Sequence, residues 1–345
     1  MGRLQSLIEA SWDRQGVLSA LLAPLGWLYA GVMALRNVGY DVGLLPVHDL
    51  GLPSVSVGNL TVGGSGKTPV SAWLAQRLLA RGARPAILLR GYGADEPLVH
   101  ARLTPGAIVV ADPDRLAAAA RASALGATVL VLDDAFQHRR VRRDADLVLV
   151  PAEQGMPRRV LPAGPLRERR AGLRRASVAV VTRKSASSDV AAAVAAQCER
   201  VAPGIAIVQL HLRPADLVFV GPPGAAGAEA IVEPLGALRG VRVLAVSAIG
   251  APGAFARQLT DAGAQVTAVP YPDHHAFTAE DVRAITVRAA GAARVVCTLK
   301  DAVKLGPLWP PQAPPLWYLS QTVVIERGGE AVEALLDRLG DDRRS

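Results

Sequence analysis

The chain carries one glycine-rich segment whose residue types suit the binding of a polyphosphate: Thr61-Val62-Gly63-Gly64-Ser65-Gly66-Lys67-Thr68. Glycines let successive backbone N–H groups turn toward phosphate oxygens. In such a loop the lysine, Lys67, reaches the β- and γ-phosphates, and the hydroxyl of Thr68 ligates Mg²⁺. The segment departs from the pattern G-x-x-x-x-G-K-[ST] at one position, because Thr61 stands where the first glycine is usual. It predicts a binding site for a nucleoside triphosphate.

The flanking segments are those that this chemistry needs. Pro53-Ser54-Val55-Ser56-Val57 predicts a short buried strand, and Val70 to Leu79 predicts a helix. The sequence strand, glycine-rich loop and helix is the context of a P-loop. The helix N-terminus adds the positive end of its dipole to the phosphate site. A glycine-rich turn with a chance Lys-Thr is the alternative, and it would not account for both flanking elements.

A magnesium site is predicted at the end of another strand. The apolar run Thr128–Leu132 reads as a buried strand, and Asp133 and Asp134 follow it directly. P-loop enzymes place a Mg²⁺ partner at the carboxyl end of such a strand. An isolated acidic pair after a strand can equally be a helix cap or a turn, but the upstream loop favours metal binding. We expect Thr68, Asp133 and Asp134 to hold Mg²⁺.

The elements that must position these residues form an α/β pattern. The first half of the chain alternates short apolar runs with helical stretches, which is typical of a doubly wound, mainly parallel sheet. The predicted strands are Ser54–Val57, Ala86–Leu89, Ile108–Val110, Val129–Leu132, Leu147–Val150 and Val178–Val181. Gly221-Pro222-Pro223-Gly224 marks a linker or hairpin tip. A second α/β unit then follows, with strands at Val241–Val246 and Arg294–Thr298 and helices around Ala254–Ala262 and Ala279–Ala289.

Composition excludes several classes of protein. An apolar share of 50% over 345 residues excludes a mainly disordered chain and allows about two domains. Cys198 and Cys297 are the two cysteines, and their wide separation argues against a disulfide framework or a cysteine-based zinc site. The net charge of +8 reflects either the base composition of the gene or an anionic partner. Nucleic acid is the least favoured partner, because aromatic residues are few and no RNA-binding signature is present.

An uncharged stretch runs from Gln15 to Leu35, between Arg14 and Arg36. Its length suits a membrane-spanning helix, but Pro24, Gly26 and Gly31 interrupt it. Apolar residues recur at helical spacing and leave a second face of Ala, Gly and Ser: Leu18, Leu21, Leu22, Leu25, Leu28, Val32 and Leu35. This pattern favours a helix lying at a membrane interface, with a spanning helix and a buried domain helix as the alternatives.

Further motifs resemble those of one known family, in the same order along the chain. They are Ser56–Gly64 with its continuation to Pro69, Arg90-Gly91-Tyr92-Gly93, Asp133–His138, Leu161–Glu168, Asp273-His274-His275 and Thr298–Lys304. On these residues the sequence resembles the tetraacyldisaccharide 4'-kinases, the lipid A 4'-kinases of Gram-negative bacteria. The resemblance covers most of the chain, and Thr61 in the phosphate loop is the family's own form. Family members usually have an insertion before the segment that corresponds to Asp95-Glu96-Pro97, which is absent here.

The resemblance implies a role for several residues. Asp95 and one of His274 and His275 correspond to the carboxylate and histidine proposed as the base, with the choice of histidine left open. Lys67 has a catalytic role, and Thr61–Thr68 bind ATP. Arg115 and Arg167 match arginines near the phosphates and the substrate. The residues expected at the substrate are Asn59, Arg115, Gln137 and Arg167.

The expected protein is an ATP- and Mg²⁺-dependent kinase that phosphorylates the 4'-hydroxyl of a tetraacyl-disaccharide 1-phosphate. The expected fold is a P-loop NTPase-like sheet with a second, smaller α/β/α domain and a β-linker. The predicted parts are a membrane-associating region (1–36), a P-loop kinase domain (37–212), a linker (213–235) and a second α/β domain (236–345). The expected location is the cytoplasmic face of the inner membrane, peripheral or monotopic. There the anionic surface and the membrane-embedded glycolipid are the partners, with no nucleic acid and no obligate protein partner.

Two alternatives stay open. A partition-type P-loop ATPase switch at the membrane would also use the segment Gly63–Thr68, although Asp273-His274-His275 and Leu161–Glu168 speak against it. A soluble small-molecule kinase would leave the apolar stretch from Gln15 to Leu35 without a role.

Overall fold

The structure is a computed structural model that describes residues 12, 17–91, 93, 95–220 and 231–341. Within these ranges the chain forms two compact units. The first contains the residues up to 91, His100–Leu212 and those from Val323 onward, and the second contains Gly93–Val99 and Arg213–Thr322. The predicted linker motif at 221–224 lies outside the described residues.

The first unit is an α/β fold around a parallel sheet. Its helices are α1 (Val17–Leu21), α2 (Ala23–Asp41), α3 (Lys67–Ala80), α5 (Arg115–Ala124), α6 (Ser188–Val201) and α10 (Gly329–Asp341). Helix α4 (Asp95–Leu103) begins in the second unit and continues in the first from His100. The strands are β1 (Ser54–Asn59), β2 (Pro85–Leu89), β3 (Ile108–Ala111), β4 (Val129–Asp133), β5 (Ala145–Pro151) and β6 (Val178–Arg183). Strand β7 (Ala206–Phe219) contributes residues to both units.

The strand order in this unit is β7-β6-β5-β1-β4-β2-β3, and the paired neighbours run parallel. The central strand β1 therefore lies between β5 and β4, with Val57 opposite Asp133. Because all these strands point the same way, the loop after β1 and the residues after β4 emerge at the same edge of the sheet. This edge carries the predicted phosphate and magnesium residues.

The strands form where the sequence is continuously apolar because both faces of the sheet are covered by helices. One face packs against α3 and α10 through Val55, Val57, Leu147, Leu149, Leu74, Leu78, Val332 and Leu335. The opposite face packs against α5 and α6 through Leu88, Leu130, Leu132, Ala118, Ala122, Val148, Val181, Val194 and Cys198. Alternate residues of one strand thus enter different cores, as in a doubly wound sheet. The predicted fold class is confirmed.

The end of the chain packs in the first unit. Leu335 and Leu336 of α10 are buried beside Leu74 and Leu78 of α3. On the solvent side of the same two helices, Glu333 forms ion pairs with Arg77 and Arg81. This segment falls within the predicted second domain (236–345), since a lone terminal helix gives no local sign of its distant partners.

The second unit is a smaller parallel α/β unit. Its strands are β8 (Val232–Pro234), β9 (Arg242–Ser247), β10 (Gln265–Pro270), β11 (Arg294–Thr298) and β12 (Leu316–Arg327), of which β12 continues into the first unit. Its helices are α7 (Pro252–Asp261), α8 (Ala279–Arg288) and α9 (Leu299–Leu305). The order β10-β9-β11-β12 is parallel, and β8 pairs antiparallel with β7.

Helices α1 and α2 contact the rest of the first unit through their small residues. Ser19, Gly26 and Ala30 are buried, and a Cβ on Gly26 would lie 3.2 Å from Cβ of Ala163. The leucine face points outward: Leu28 and Leu35 are 67% and 75% exposed. None of the helices within the described ranges combines the length and the hydropathy that crossing a bilayer requires.

Candidate active site

The phosphate loop joins the end of β1 to α3, as predicted. Gly66 precedes the first helical residue with a φ of 88°, a conformation that L side chains rarely adopt. A Cβ on Gly66 would also collide with the side chain of Leu212. Upstream, a Cβ on Gly58 would lie 2.9 Å from the backbone nitrogen of Phe136, so glycine lets β1 approach the loop that follows the paired aspartates. Sequence and packing together therefore fix the path of this loop.

Side chains from three neighbouring elements hold the loop from outside. Thr182 donates to the carbonyl of Ser65 (3.1 Å), and Lys184 donates to the carbonyl of Gly64 (3.2 Å). Asn59 donates to the hydroxyl of Ser65 (2.9 Å), and Thr61 donates to Gln154 (3.2 Å). In a trans peptide the N–H points away from the preceding carbonyl. The bond from Thr182 to Ser65 therefore fixes this peptide group with the N–H of Gly66 directed away from the Thr182 hydroxyl.

Asp133 is bonded through one carboxylate oxygen, Oδ2, and through its backbone carbonyl. Its Oδ2 lies 3.0 Å from Nε2 of His100, a histidine that is completely buried, and Arg115 donates to its backbone carbonyl (3.2 Å). Within the described part of the chain, no group donates a hydrogen bond to Asp133 Oδ1, which is also buried. A buried carboxylate oxygen without a partner is costly. This oxygen is therefore suited to accept a bound cation or its water.

Two basic side chains pair with the carboxylate of Asp134. Arg167 binds its carboxylate in bidentate fashion (2.7 and 3.1 Å), and Nζ of Lys67 lies 3.7 Å away. Burial alone would raise the pKa of Asp134, but Lys67 and Arg167 outweigh it, so the pKa lies below its usual value. The two aspartates that the sequence predicts as equivalent metal ligands thus have different partners in the structure.

The four residues expected at the substrate all lie in the first unit. Arg115 is 2% exposed, and its guanidinium donates to the carbonyls of Asp112 and Asp133. Asn59 is completely buried beside Ser65. Gln137 donates to the carbonyl of Asn59 (2.8 Å) and to Glu168 (3.1 Å). The geometry brings Asn59, Gln137 and Arg167 close to the phosphate loop and the paired aspartates.

Helix α2 is bonded directly to these loops. Arg36 donates to the carbonyl of Gln137 (2.8 Å), and Tyr29 donates to the carbonyl of Arg167 (2.8 Å). Asn37 donates to Glu168 (3.0 Å), which Arg175 also binds. The polar residues of the N-terminal helix therefore support the segments that carry Gln137 and Arg167.

Asp95, Lys300 and His274 form a cluster within the second unit. Asp95 begins α4, and its side chain is only 8% exposed. Nζ of Lys300 lies 4.0 Å from Asp95 Oδ2 and 3.0 Å from Nε2 of His274. An ammonium group only donates, so Nε2 of His274 is the acceptor and its proton is on Nδ1. Lys300 thus lies between the carboxylate and the histidine that the family resemblance pairs.

Backbone contacts fix the two loops of this cluster. His274 adopts a φ of 60°, and its N–H contacts the carbonyl of Ala248 (3.3 Å) and the carboxylate of Asp273 (2.9 Å). Asp301, completely buried, accepts from the N–H of Ala248 (3.1 Å) and from Thr298 (2.6 Å). The helix that carries Lys300 and the loop that carries His274 are therefore both tied to residue 248.

His275 has different partners. Its Nε2 lies 3.0 Å from Oδ2 of Asp281, the residue that also caps the start of α8 through Thr278. The imidazole stacks on the ring of Tyr271, with 4.8 Å between the centroids. The structure thus separates the two adjacent histidines, placing His274 beside Lys300 and Asp95 and His275 in the packing around α8.

His100, Lys184 and Lys300 are site residues that the sequence reasoning did not single out. His100 has no local motif, and its partner Asp133 is 33 positions away. Lysine, in contrast, is rare in this chain, with Lys67, Lys184, Lys300 and Lys304 as its four occurrences among 38 basic residues. The rarity of lysine is therefore a signal in the sequence that marks Lys184 and Lys300, because arginine fills the other basic positions.

The donor set fits a magnesium ion rather than a transition metal. The described ranges contain no group of three or more His, Cys, Asp and Glu residues that could hold a metal. Mg²⁺ in kinases is usually bound by one or two protein oxygens together with substrate phosphates and waters. The free Oδ1 of Asp133 and the hydroxyl of Thr68, the second residue of α3, supply oxygens of that kind.

A strand, a glycine-rich loop that ends at Lys67, the first residue of α3, and an aspartate pair at the end of the adjacent strand define a P-loop nucleotide-binding protein. The profile of the family Tetraacyldisaccharide-1-P 4'-kinase matches residues 18–95 and 93–340. The chain belongs to this family. The predicted family and the predicted enzyme class, a kinase, are thereby confirmed.

Individual relatives agree with this assignment. The chain is 41% identical to a tetraacyldisaccharide 4'-kinase of Anaeromyxobacter sp. (strain Fw109-5), over 84% of each chain. It is 36% identical to that of Geobacter sulfurreducens, over 84% of this chain and 85% of the relative. Its fold is similar to the crystal structure of LpxK from Aquifex aeolicus in complex with ATP. The TM-score is 0.72 at 29% identity, covering 94% of this chain and 99% of the other.

Proposed function

We propose that this protein transfers the γ-phosphoryl group of ATP to the 4'-hydroxyl of a tetraacyl-disaccharide 1-phosphate, a step in lipid A biosynthesis. The observation that carries the proposal is the phosphate loop with Lys67 beside the paired aspartates, in a chain of this family. The hydroxyl oxygen forms a bond to the γ-phosphorus, the bond from that phosphorus to the β–γ bridging oxygen breaks, and ADP leaves. The hydroxyl proton passes to a base on the protein.

The loop and its neighbours bind the triphosphate. The loop Thr61–Thr68 and the N-terminus of α3 offer N–H groups to the phosphate oxygens, and Lys67 neutralises charge on the β- and γ-phosphates. The N–H groups of Val62 and Ser65 are excepted, because they donate to the carbonyls of Pro165 and Gly63. Thr68 and Oδ1 of Asp133 would hold Mg²⁺, which would neutralise negative charge on the triphosphate. Asp134, already paired with Arg167 and Lys67, keeps both cations in place instead of ligating the metal directly.

Asp95 is the base in this proposal. Its buried carboxylate faces Lys300, and within the described residues its Oδ2 accepts no hydrogen bond. An ionised carboxylate with a free oxygen can accept the proton of a hydroxyl that approaches it. His274, held by Lys300, is the histidine of the pair, because His275 is bound by Asp281. Lys300 places a positive charge beside Asp95 and contacts Nε2 of His274.

The four residues expected at the substrate fall into two groups, one buried and one partly exposed. Arg115 and Asn59 are buried and already bonded, so we assign them to positioning Asp133 and the phosphate loop. Gln137 is partly exposed, and the side chain of Arg167 is 25% exposed beside Asp134. These two are the candidates for direct contact with the phosphorylated sugar, to which Arg167 can offer the N–H donors that do not bind Asp134.

The exposed apolar face of α1 and α2 is the candidate for membrane contact. Its apolar side chains, with those of the following loop, are more than half exposed: Leu21, Leu25, Trp27, Leu28, Val32, Leu35, Val38, Val42 and Leu44. A continuous apolar surface of this kind marks a contact site. We propose that it lies in the anionic cytoplasmic surface of the inner membrane, where the acyl chains of the substrate remain embedded. This placement makes the protein peripheral or monotopic.

The decisive experiment supplies labelled ATP, Mg²⁺ and vesicles that contain the tetraacyl-disaccharide 1-phosphate. We expect the wild-type protein to transfer label to the lipid fraction. The Lys67→Ala variant should transfer none, because it lacks the charge that binds the β- and γ-phosphates. ATP hydrolysis without any label in the lipid would reject the kinase proposal. It would favour a switch ATPase that responds to the membrane.

A further inference from the structure

A second lysine lies on the phosphate loop. Lys184 directly follows β6, and its ammonium group donates to the carbonyl of Gly64 (3.2 Å), the fourth residue of the loop. Two residues earlier, Thr182 donates to the adjacent carbonyl, that of Ser65 (3.1 Å). The end of β6 therefore holds two successive peptide groups of the loop, and one of the two donors carries a positive charge.

The backbone fixes where Lys184 stands. One carboxylate oxygen of Glu153 accepts hydrogen bonds from the N–H groups of Lys184, Ser185 and Ala186, at 2.6, 2.9 and 3.1 Å. Burial would raise the pKa of Glu153, but these bonds outweigh it and the pKa lies below its usual value. Glu153 therefore stays ionised and locks the turn after β6. The lysine is presented to the loop by a rigid backbone.

The charges around the loop favour an anionic ligand. Burial lowers the pKa of Lys184, and the repulsion of Lys67 lowers it further, while Glu153 opposes both. Lys67 itself shares its carboxylate neighbour, Asp134, with Arg167. Lys67 and Lys184 are thus near enough to repel each other, and the carboxylates beside them, Asp134 and Glu153, are engaged by other donors. A polyphosphate would compensate this charge.

We propose that Lys184 is a second nucleotide-binding lysine, which contacts the polyphosphate of ATP while it holds the phosphate loop through Gly64. The inference rests on the proposed function, since it takes ATP as the ligand of this loop. Lys184 contributes to binding in the ground state and in the transition state alike, because it touches the loop at its fourth residue and Lys67 occupies the position next to the γ-phosphate. Its removal therefore weakens nucleotide affinity.

The test measures equilibrium binding of ATP, ADP and inorganic tripolyphosphate to the full chain without lipid. Lys184→Met should weaken binding of ATP and of tripolyphosphate about 10-fold or more, the size expected for a hydrogen bond between charged groups. Lys184→Arg should recover most of the affinity. Arg183→Met is the matched control, because it removes the adjacent positive charge, whose side chain pairs with Glu326. We expect its affinity for ATP to stay within about 2-fold of wild type.

Each result has one meaning. Unchanged affinity of Lys184→Met for ATP and tripolyphosphate would overturn the proposal and leave Lys184 as a brace for the loop. Loss of ATP affinity with unchanged tripolyphosphate affinity would overturn the phosphate contact, because the lysine would then act on the nucleoside. A thermal melt shows whether Lys184→Met is folded, and Lys184→Arg tests the same contact if it is not. Wild-type protein that binds ATP but phosphorylates no lipid would reject the proposed substrate and leave this inference standing.

Discussion

Nε2 of His100 lies 3.0 Å from Oδ2 of Asp133, and the imidazole is completely buried. Among the residues that the structure describes, none bonds to the other carboxylate oxygen of Asp133, the buried Oδ1. Groups that bond to a metal ligand orient it and tune its basicity. His100 therefore fixes which oxygen of Asp133 is offered to a metal ion.

His100→Ala should raise the Mg²⁺ concentration needed for half-maximal activity by about 10- to 100-fold, because Asp133 loses the group that orients it. A magnesium titration of the kinase rate measures this change. His100→Gln is the control, since its amide N–H can still donate to the carboxylate. If His100→Ala needs the same Mg²⁺ concentration for half-maximal activity as wild type, Asp133 does not bind the metal.

The contrast between Asp133 and His100 shows what local sequence predicts. Asp133 follows a run of apolar residues, and the end of a buried parallel strand is a position that sequence alone identifies. His100 lies in a helix with no periodic motif, and the packing of α4 against the end of β4 brings it to Asp133. Such contacts depend on the tertiary fold and leave no local pattern.

Asp95→Asn should lower kcat by about 10²- to 10⁴-fold, the usual contribution of a general base, because an amide does not accept the hydroxyl proton. Its affinity for ATP should stay close to that of wild type, since Asp95 belongs to the cluster with Lys300 and His274 and not to the phosphate loop. Steady-state kinetics and equilibrium ATP binding separate the two effects. Asp114→Asn, which alters a carboxylate that caps α5, should keep a normal kcat. A normal kcat in Asp95→Asn would remove it as the base.

The two adjacent histidines should respond differently to alanine. His274→Ala should lower kcat strongly with little change in thermal stability, because its side chain is 56% exposed and contacts Lys300. His275→Ala should retain most of kcat but lose about 1–2 kcal/mol of stability, since it loses the contacts with Asp281 and Tyr271. Kinetics and denaturant unfolding of both variants test this. Strong loss of kcat in His275→Ala alone would reverse the assignment.

The histidine pair also marks a limit of sequence analysis. Asp273-His274-His275 gives both imidazoles the same neighbours along the chain, so spacing does not distinguish them. The distinction arises from the left-handed backbone at His274, with a φ of 60°, and from Asp281, which becomes a partner only once α8 has formed. Backbone conformation at a single non-glycine residue is not encoded in residue type.

His138 should make stability depend on pH in mildly acidic solution. Burial lowers its pKa from the usual 6.5 to about 4, and the nearby cations add to this: Arg115, Arg143, Arg90 and Arg36. Between these two values the unfolded chain binds a proton that the folded chain does not, so this contribution to stability falls as pH falls from 6.5 toward 4. His138→Gln lacks this titration. Melting temperatures from pH 7 to 4 should fall less steeply for the variant, and parallel curves would contradict the expected shift.

Charged substitutions on the leucine face should release the protein from membranes. Leu28 and Leu35 lie on the same face of α2, two helical turns apart, and are 67% and 75% exposed. Each leucine side chain that becomes buried in a membrane contributes about 1.5–3 kcal/mol to binding. The double variant Leu28→Glu/Leu35→Glu should therefore bind anionic lipid vesicles at least about 10-fold more weakly in a sedimentation assay. Its melting temperature should stay near that of wild type, because neither side chain is part of the core.

Val287→Glu is the matched control for this experiment, since it adds the same charge at an apolar side chain of α8 that is 76% exposed. It should bind vesicles as wild type does. Neutral vesicles should bind the wild-type chain more weakly than anionic ones, because the net charge of +8 favours an anionic surface. Compared with wild type, the double variant should lose more kinase activity on vesicle-embedded substrate than on substrate dispersed in detergent. Equal sedimentation of the double variant and wild type would show that the leucine face does not bind the membrane.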